Sequence, residues 1–213
     1  MAQMTRALEL AGYHVCNVSY PSRKYPIAVL ANDFVAPAVR ACLADETKAV
    51  HFVTHSLGGI IVRQLAESAT DLKIGRVVML GPPNHGSEVV DRLGNLYLFR
   101  LINGPAGAQL GTQQASLPQA LGPASFEVGI ISGDRSINPI LSWLIPGKDD
   151  GKVSIENAKL DGMTDFCVVP SSHPFMMNSE LAIKQTLSFL SEGAFTCHAQ
   201  QGVAVDGAKP PSN

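Results

Sequence analysis

Short apolar runs alternate along the chain with stretches of helical spacing. Ala49–Thr54 (AVHFVT) is a continuous apolar run of strand length, as expected for a strand buried on both faces. Arg76–Leu80 (RVVML), Phe126–Ser132 (FEVGIIS) and Asp165–Val169 (DFCVV) predict three further strands, and Tyr13–Tyr20 (YHVCNVSY) a fifth, ended by Pro21-Ser22. Helical spacing occupies residues 2–11, stopped by Gly12, and residues 27–44, where Pro37 predicts a kink or break. It returns at Leu57–Ala69 and, as a closing amphipathic helix, at Ser179–Leu190. Strands alternating with helices predict βαβ units: an α/β domain, doubly wound, around a mostly parallel sheet. Residues 86–124, rich in Gly, Pro, Gln and Leu, show no strand and are expected to form a small cap. Periodicity ends near Gly193, so the domain is expected to span 1–192, with 193–213 as a flexible tail.

Composition narrows the function classes. With 46% hydrophobic and 16% charged residues, the 213-residue chain is not a disordered one, and it can bury one sizeable core. A net charge of −2 without a basic stripe argues against a nucleic-acid partner. No run is long and apolar enough to span a bilayer, and Met1–Arg6 lacks an apolar signal-peptide core, giving a cytoplasmic location by default. Cys16, Cys42, Cys167 and Cys197 lack Cys-x-x-Cys or metal-ligand spacing, so they are expected to be buried free thiols. Neither a metal nor any other cofactor is expected.

The chemistry-bearing segment is Val53-Thr54-His55-Ser56-Leu57-Gly58-Gly59, between an apolar strand and an apolar helix. A serine on a sharp strand-to-helix turn is lifted above the sheet and aimed at a helix N-terminus, the setting of a nucleophile elbow. The crowded turn requires small residues two positions either side of the serine. Gly58 meets that requirement, while Thr54 stands where glycine is usual. The competing reading is a serine that merely caps the following helix.

On these residues the chain resembles the α/β-hydrolases, and more narrowly the bacterial triacylglycerol-lipase-like esterases. The likeness extends over residues 1–192 through Gly12-Tyr13, Tyr20-Pro21-Ser22-Arg23, the Thr54–Gly59 elbow and Gly81-Pro82-Pro83-Asn84-His85-Gly86-Ser87. It continues in Asp149-Asp150-Gly151-Lys152-Val153 and Ser171-Ser172-His173-Pro174-Phe175-Met176-Met177. The resemblance implies a Ser–His–acid triad acting on short- to medium-chain carboxylic esters through an acyl-serine intermediate. An acyltransferase with the same triad and a catalytically weak interaction module are the alternatives.

In this fold the order is serine, acid, histidine. Only His173 and His198 follow every acid that could serve, and His198 lies in the aperiodic tail, so His173 is the expected base. Asp134, Asp149 and Asp150 all follow the strand at 126–132. Asp134 stands where a generic hydrolase keeps its acid. Asp150 matches the lipase-like Asp-Gly-x-Val pattern with Gly151 and Val153 and is preferred, with Asp149 third. His55 should point away from the serine it adjoins, His85 is expected to border the site in a structural role, and His14 and His51 read as structural strand residues.

One backbone donor of an oxyanion hole is expected from Leu57. The second normally comes from a His-Gly loop, and no such pair precedes Met4. The resemblance is therefore to a family member shortened at its N-terminus. Its second donor is expected from residues 1–5, another loop, a second subunit, or not at all. A strand edge left uncovered there predicts a symmetric homodimer with residues 1–25 near the contact.

Overall fold

The fold, a computed structural model, describes residues 1–43, 48–93, 104–137, 139–143 and 145–197. Four of the five predicted runs form strands: β1 (Val50–His55), β2 (Ile74–Leu80), β3 (Val128–Gly133) and β4 (Asp165–Val169). They pair in chain order β1-β2-β3-β4, and all three pairings are parallel.

Parallel neighbours require crossovers, and helices supply them. In chain order the helices are α1 (Ala2–Leu10), α2 (Ile27–Val29), α3 (Ala36–Cys42), α4 (Leu57–Ser68) and α5 (Glu88–Leu93). They continue as α6 (Leu117–Ala120), α7 (Pro139–Trp143), α8 (Ile155–Ala158) and α9 (Glu180–Glu192). Successive strand residues face opposite layers. Val77 and Met79 of β2 join the cluster that holds Ile60, Ile61 and Leu65 of α4. Val78 and Leu80 join the other, with Met4 and Leu8 of α1 and Phe189 and Leu190 of α9. Helices on both faces make the sheet doubly wound, which explains why β2 and β3 read as unbroken apolar runs.

Tyr13–Tyr20 differs from expectation. The segment joins no ladder, and β1 pairs with β2 alone among the described residues. It is held instead by Tyr13 N–H donating to Leu8 O (3.0 Å) and Asn17 Nδ2 donating to Thr5 Oγ1 (2.9 Å). Its apolar side chains still find cover, Val15 beside the α1/α9 cluster and Val18 beside the α4 cluster. A slot of about 320 Å³ lies between it and β1, lined by Cys16 and Val18 on one side and Phe52 and Thr54 on the other.

The break expected at Pro37 is also absent. A π-helical stretch, Leu30–Val35, joins α2 to α3, and Pro37 occupies the second position of α3. A proline clashes with the carbonyl four residues back, and the wider π turn sits where that clash would fall.

The cysteines are paired rather than free: Cys16 with Cys42 and Cys167 with Cys197. Sequence spacing carries no record of such long-range meetings. The start of the expected tail is packed. Phe195 is buried against Phe189, its N–H donates to Asp165 Oδ2 (2.7 Å), and Thr196 N–H donates to Gln185 Oε1 (2.7 Å). Residues 198–213, like 94–103 of the expected cap, lie outside the described residues. No described helix is long and apolar enough to cross a membrane.

Candidate active site

β1 ends at His55 and α4 begins at Leu57, leaving Ser56 alone to turn the chain. It does so with φ 54° and ψ −121°, the one positive φ outside glycine among the described residues. Such a conformation costs about 1–3 kcal/mol and persists only where the surroundings enforce it. Here Ser56 N–H donates to Leu80 O (2.9 Å), and Gly59 N–H closes the turn on Ser56 O (3.1 Å). A Cβ on Gly58 would lie 3.2 Å from Thr54 Cβ. Thr54 is thus tolerated at its unusual position because the facing residue has no side chain. Leu57 opens α4, where the first amides of a helix have no carbonyl one turn earlier to bond.

Ser56, His173 and Asp150 are hydrogen-bonded in line. His173 Nε2 lies 3.0 Å from Ser56 Oγ, and His173 Nδ1 lies 2.7 Å from Asp150 Oδ2. Asp150 has no exposed surface, and its other oxygen accepts the amides of Lys152 (3.0 Å) and Val153 (2.9 Å). A carboxylate taken out of water needs such donors, since an unpaired buried charge is costly. Asp150 also fixes the histidine backbone, its carbonyl accepting His173 N–H at 2.8 Å.

The other two acids do not meet His173. Asp149 Oδ1 accepts from Ser142 Oγ (2.8 Å) and Gly151 N (2.6 Å). Asp134 stands at the end of β3, where its Oδ1 is buried with no hydrogen-bond partner among the described residues.

Three neighbours were given no role in the site from sequence. Gly81, at φ +55°, follows β2, and a Cβ there would sit 2.9 Å from Asp150 Oδ2 and 3.1 Å from His173 Nδ1. Any side chain would push between the two partners; the sequence signal was the Gly81–Ser87 stretch of the resemblance, which attached no role to the glycine. Arg63 is buried and donates to the carbonyls of Asn84, Pro118 and Gly122, tying the loop after β2 to α6. Its burial pulls the guanidinium down to about 10.

His55 is the third. Its ring packs 4.7 Å from the His173 ring, and Nε2–H donates to His173 O at 2.9 Å. Burial pushes the His55 imidazole down to about 4 from an ordinary 6.5, with His173 the next cause. The unfolded chain therefore takes up a proton between these values that the folded one refuses. The stability is complete above about pH 6.5 and declines as pH falls towards 4. We predict that wild type loses roughly 2 kcal/mol more than His55→Asn between pH 7 and 4.5, measured by urea unfolding. Parallel losses in the two proteins would show that His55 is not the titrating group.

His14, Cys16 and Cys42 bring ligating atoms within 4.8 Å of one another, but both sulfurs are committed to the disulfide. No family model matches the sequence, and no curated protein matches it. Solved structures do. The chain superposes on the metagenomic carboxyl esterase MGS0156 with a TM-score of 0.61 at 19% identity, covering 89% of this chain and 64% of that one. It matches Bacillus licheniformis lipase BlEst2 in mature form with a TM-score of 0.54 at 20% identity, covering 80% of this chain and 73% of the lipase. Phospholipase PlaB from Legionella pneumophila gives 0.55 at 21%, covering 74% of this chain and 41% of PlaB.

The chain has the α/β-hydrolase fold.

Within that fold the four strands here are contiguous, and each delivers its loop to the same edge of the sheet. The α/β-hydrolase expected from sequence is thereby met in its parallel sheet and its two helical layers. A cavity of about 590 Å³ opens over Ser56, with Leu57, His55, Tyr20 and Lys152 among its walls and Gly107 and Leu110 from the expected cap region.

Proposed function

We propose that the protein is a serine hydrolase that cleaves carboxylic esters through an acyl-serine intermediate. The observation that carries the reading is the line of hydrogen bonds from Ser56 Oγ through both nitrogens of His173 to Asp150. A serine hydroxyl is a weak nucleophile until a neighbouring base takes its proton. His173 Nε2 is placed for that step, and Asp150 keeps the proton on Nδ1 and stabilises the imidazolium that follows.

As Ser56 Oγ bonds to the ester carbon, the carbonyl oxygen gains negative charge, and the Leu57 amide supplies one donor for it. The tetrahedral adduct then collapses. The C–O bond to the alcohol breaks while His173 returns the proton to the leaving oxygen. Water repeats the sequence on the acyl-enzyme, releasing the acid and restoring Ser56. The cavity is open and of ligand size, in keeping with short- to medium-chain acyl groups. His55 acts as a positioning residue, holding the His173 carbonyl while remaining neutral beside the imidazolium.

A fluorophosphonate probe tests the reading directly. One label per chain is expected, on the peptide that contains Ser56, and none in Ser56→Ala. Labelling of another residue, or undiminished labelling of the variant, overturns it.

A further inference from the structure

The walls of the cavity over Ser56 are charged with one sign. Arg23 and Lys152 line it with the hydroxyl-bearing residues Ser19, Tyr20 and Ser22, and no acidic residue among the described ones does. The chain as a whole has more acids than bases, 18 against 16, so a purely cationic lining does not follow from composition. The two cations come from separate parts of the fold. Arg23 lies in the turn after the Tyr13–Tyr20 segment, where Lys24 N–H donates to Pro21 O (2.9 Å). Lys152 lies in the loop that carries Asp150.

Neither cation forms an ion pair with a carboxylate among the described residues. Asp150 attracts Lys152, but its oxygens are engaged by His173 and two backbone amides. Lys152 is exposed, so its ammonium can be reached by an arriving anion.

We infer that the site takes esters that carry an anionic group, a carboxylate or a phosphate, close to the scissile bond. The inference rests on the hydrolase reading above and specifies its substrate class. Arg23 offers a planar fork that bonds two anionic oxygens at once, and Lys152 a point charge. The hydroxyls of Ser19, Tyr20 and Ser22 add neutral donors for the same group.

Matched ester pairs test this on the full chain. 4-Nitrophenyl hexanoate and the 4-nitrophenyl monoester of adipic acid differ by a carboxylate on the acyl side. 1-Hexanoylglycerol and its 3-phosphate differ by a phosphate on the alcohol side. In at least one pair the anionic member should show a kcat/KM roughly tenfold higher at low salt, and the advantage should shrink at 0.5 M sodium chloride. The pair that responds shows on which side the anion sits.

Arg23→Gln and Lys152→Gln should each reduce the anionic-to-neutral ratio severalfold. Reading the ratio within each variant cancels any change in its basal rate. Turnover with no preference for either anion, or a ratio unmoved in both variants, overturns the inference and leaves the hydrolase reading intact. Failure to hydrolyse any of the four esters overturns both.

Discussion

Ser56→Ala is expected to lower ester turnover by about a million-fold while the protein stays folded. The size of the effect follows from what the substitution removes. It takes away the one oxygen that His173 Nε2 approaches, 3.0 Å distant, and leaves the acid–base pair, the Leu57 amide and the cavity unchanged. What survives is binding and carbonyl polarisation, which alone give on the order of a thousand-fold over water. The fold should tolerate the change. The turn at φ 54° is enforced by backbone bonds at Ser56 N and O, not by the hydroxyl. Steady-state kinetics with an active-site-titrated wild type as reference measures it, alongside a melting curve. Turnover within tenfold of wild type would remove Ser56 from the chemistry.

Asp150→Asn should cost about ten thousand-fold, and Asp134→Asn no more than a few-fold. The first figure follows from tautomers. Asp150 Oδ1 accepts two amide protons from Lys152 and Val153, so an asparagine at this position must place its carbonyl oxygen there. Its NH2 group is then left facing His173 Nδ1, 2.7 Å from where the carboxylate oxygen was. Facing a donor, Nδ1 must become an acceptor, and the ring proton moves to Nε2. His173 can no longer accept the serine proton. No such inversion follows at Asp134, whose side chain does not meet the histidine. If instead Asp134→Asn is inactive and Asp150→Asn near wild type, the acid is Asp134. Circular dichroism of both variants separates loss of chemistry from loss of fold.

The parts of this arrangement that could be read from sequence are those that local physics dictates. The β1–α4 turn was legible because a strained turn demands small residues, and Gly58 is one. β2 and β3 were legible because burial on two faces leaves no polar alternation, whereas β1, expected to be buried on both faces, is a partly exposed edge strand of the described sheet. Tyr13–Tyr20 shows the limit: its residues suit an extended chain, but a ladder needs a partner, and partners are not encoded locally. The same holds for the sulfur pairs, for His55 reaching His173 across 118 residues of sequence, and for Gly81, whose lack of a side chain matters only because Asp150 and His173 arrive beside it. Arg63 was illegible for a related reason. A lone arginine in an apolar helix gives no hint that loop carbonyls will surround it.

The four parallel strands also divide labour along their length. Ser56 follows β1, Gly81 follows β2, the aspartates follow β3 and His173 follows β4, so one rim of the sheet holds all the residues placed at the site. The opposite rim, where Val50, Ile74, Val128 and Asp165 begin their strands, holds none of them. Substitutions that improve packing or charge at that far rim can accumulate without touching the reacting atoms. Loops on the near rim can lengthen or change composition without unpicking the ladder. The molecule can therefore drift in thermal tolerance and in substrate range along separate evolutionary paths, and a laboratory selection could follow either one alone.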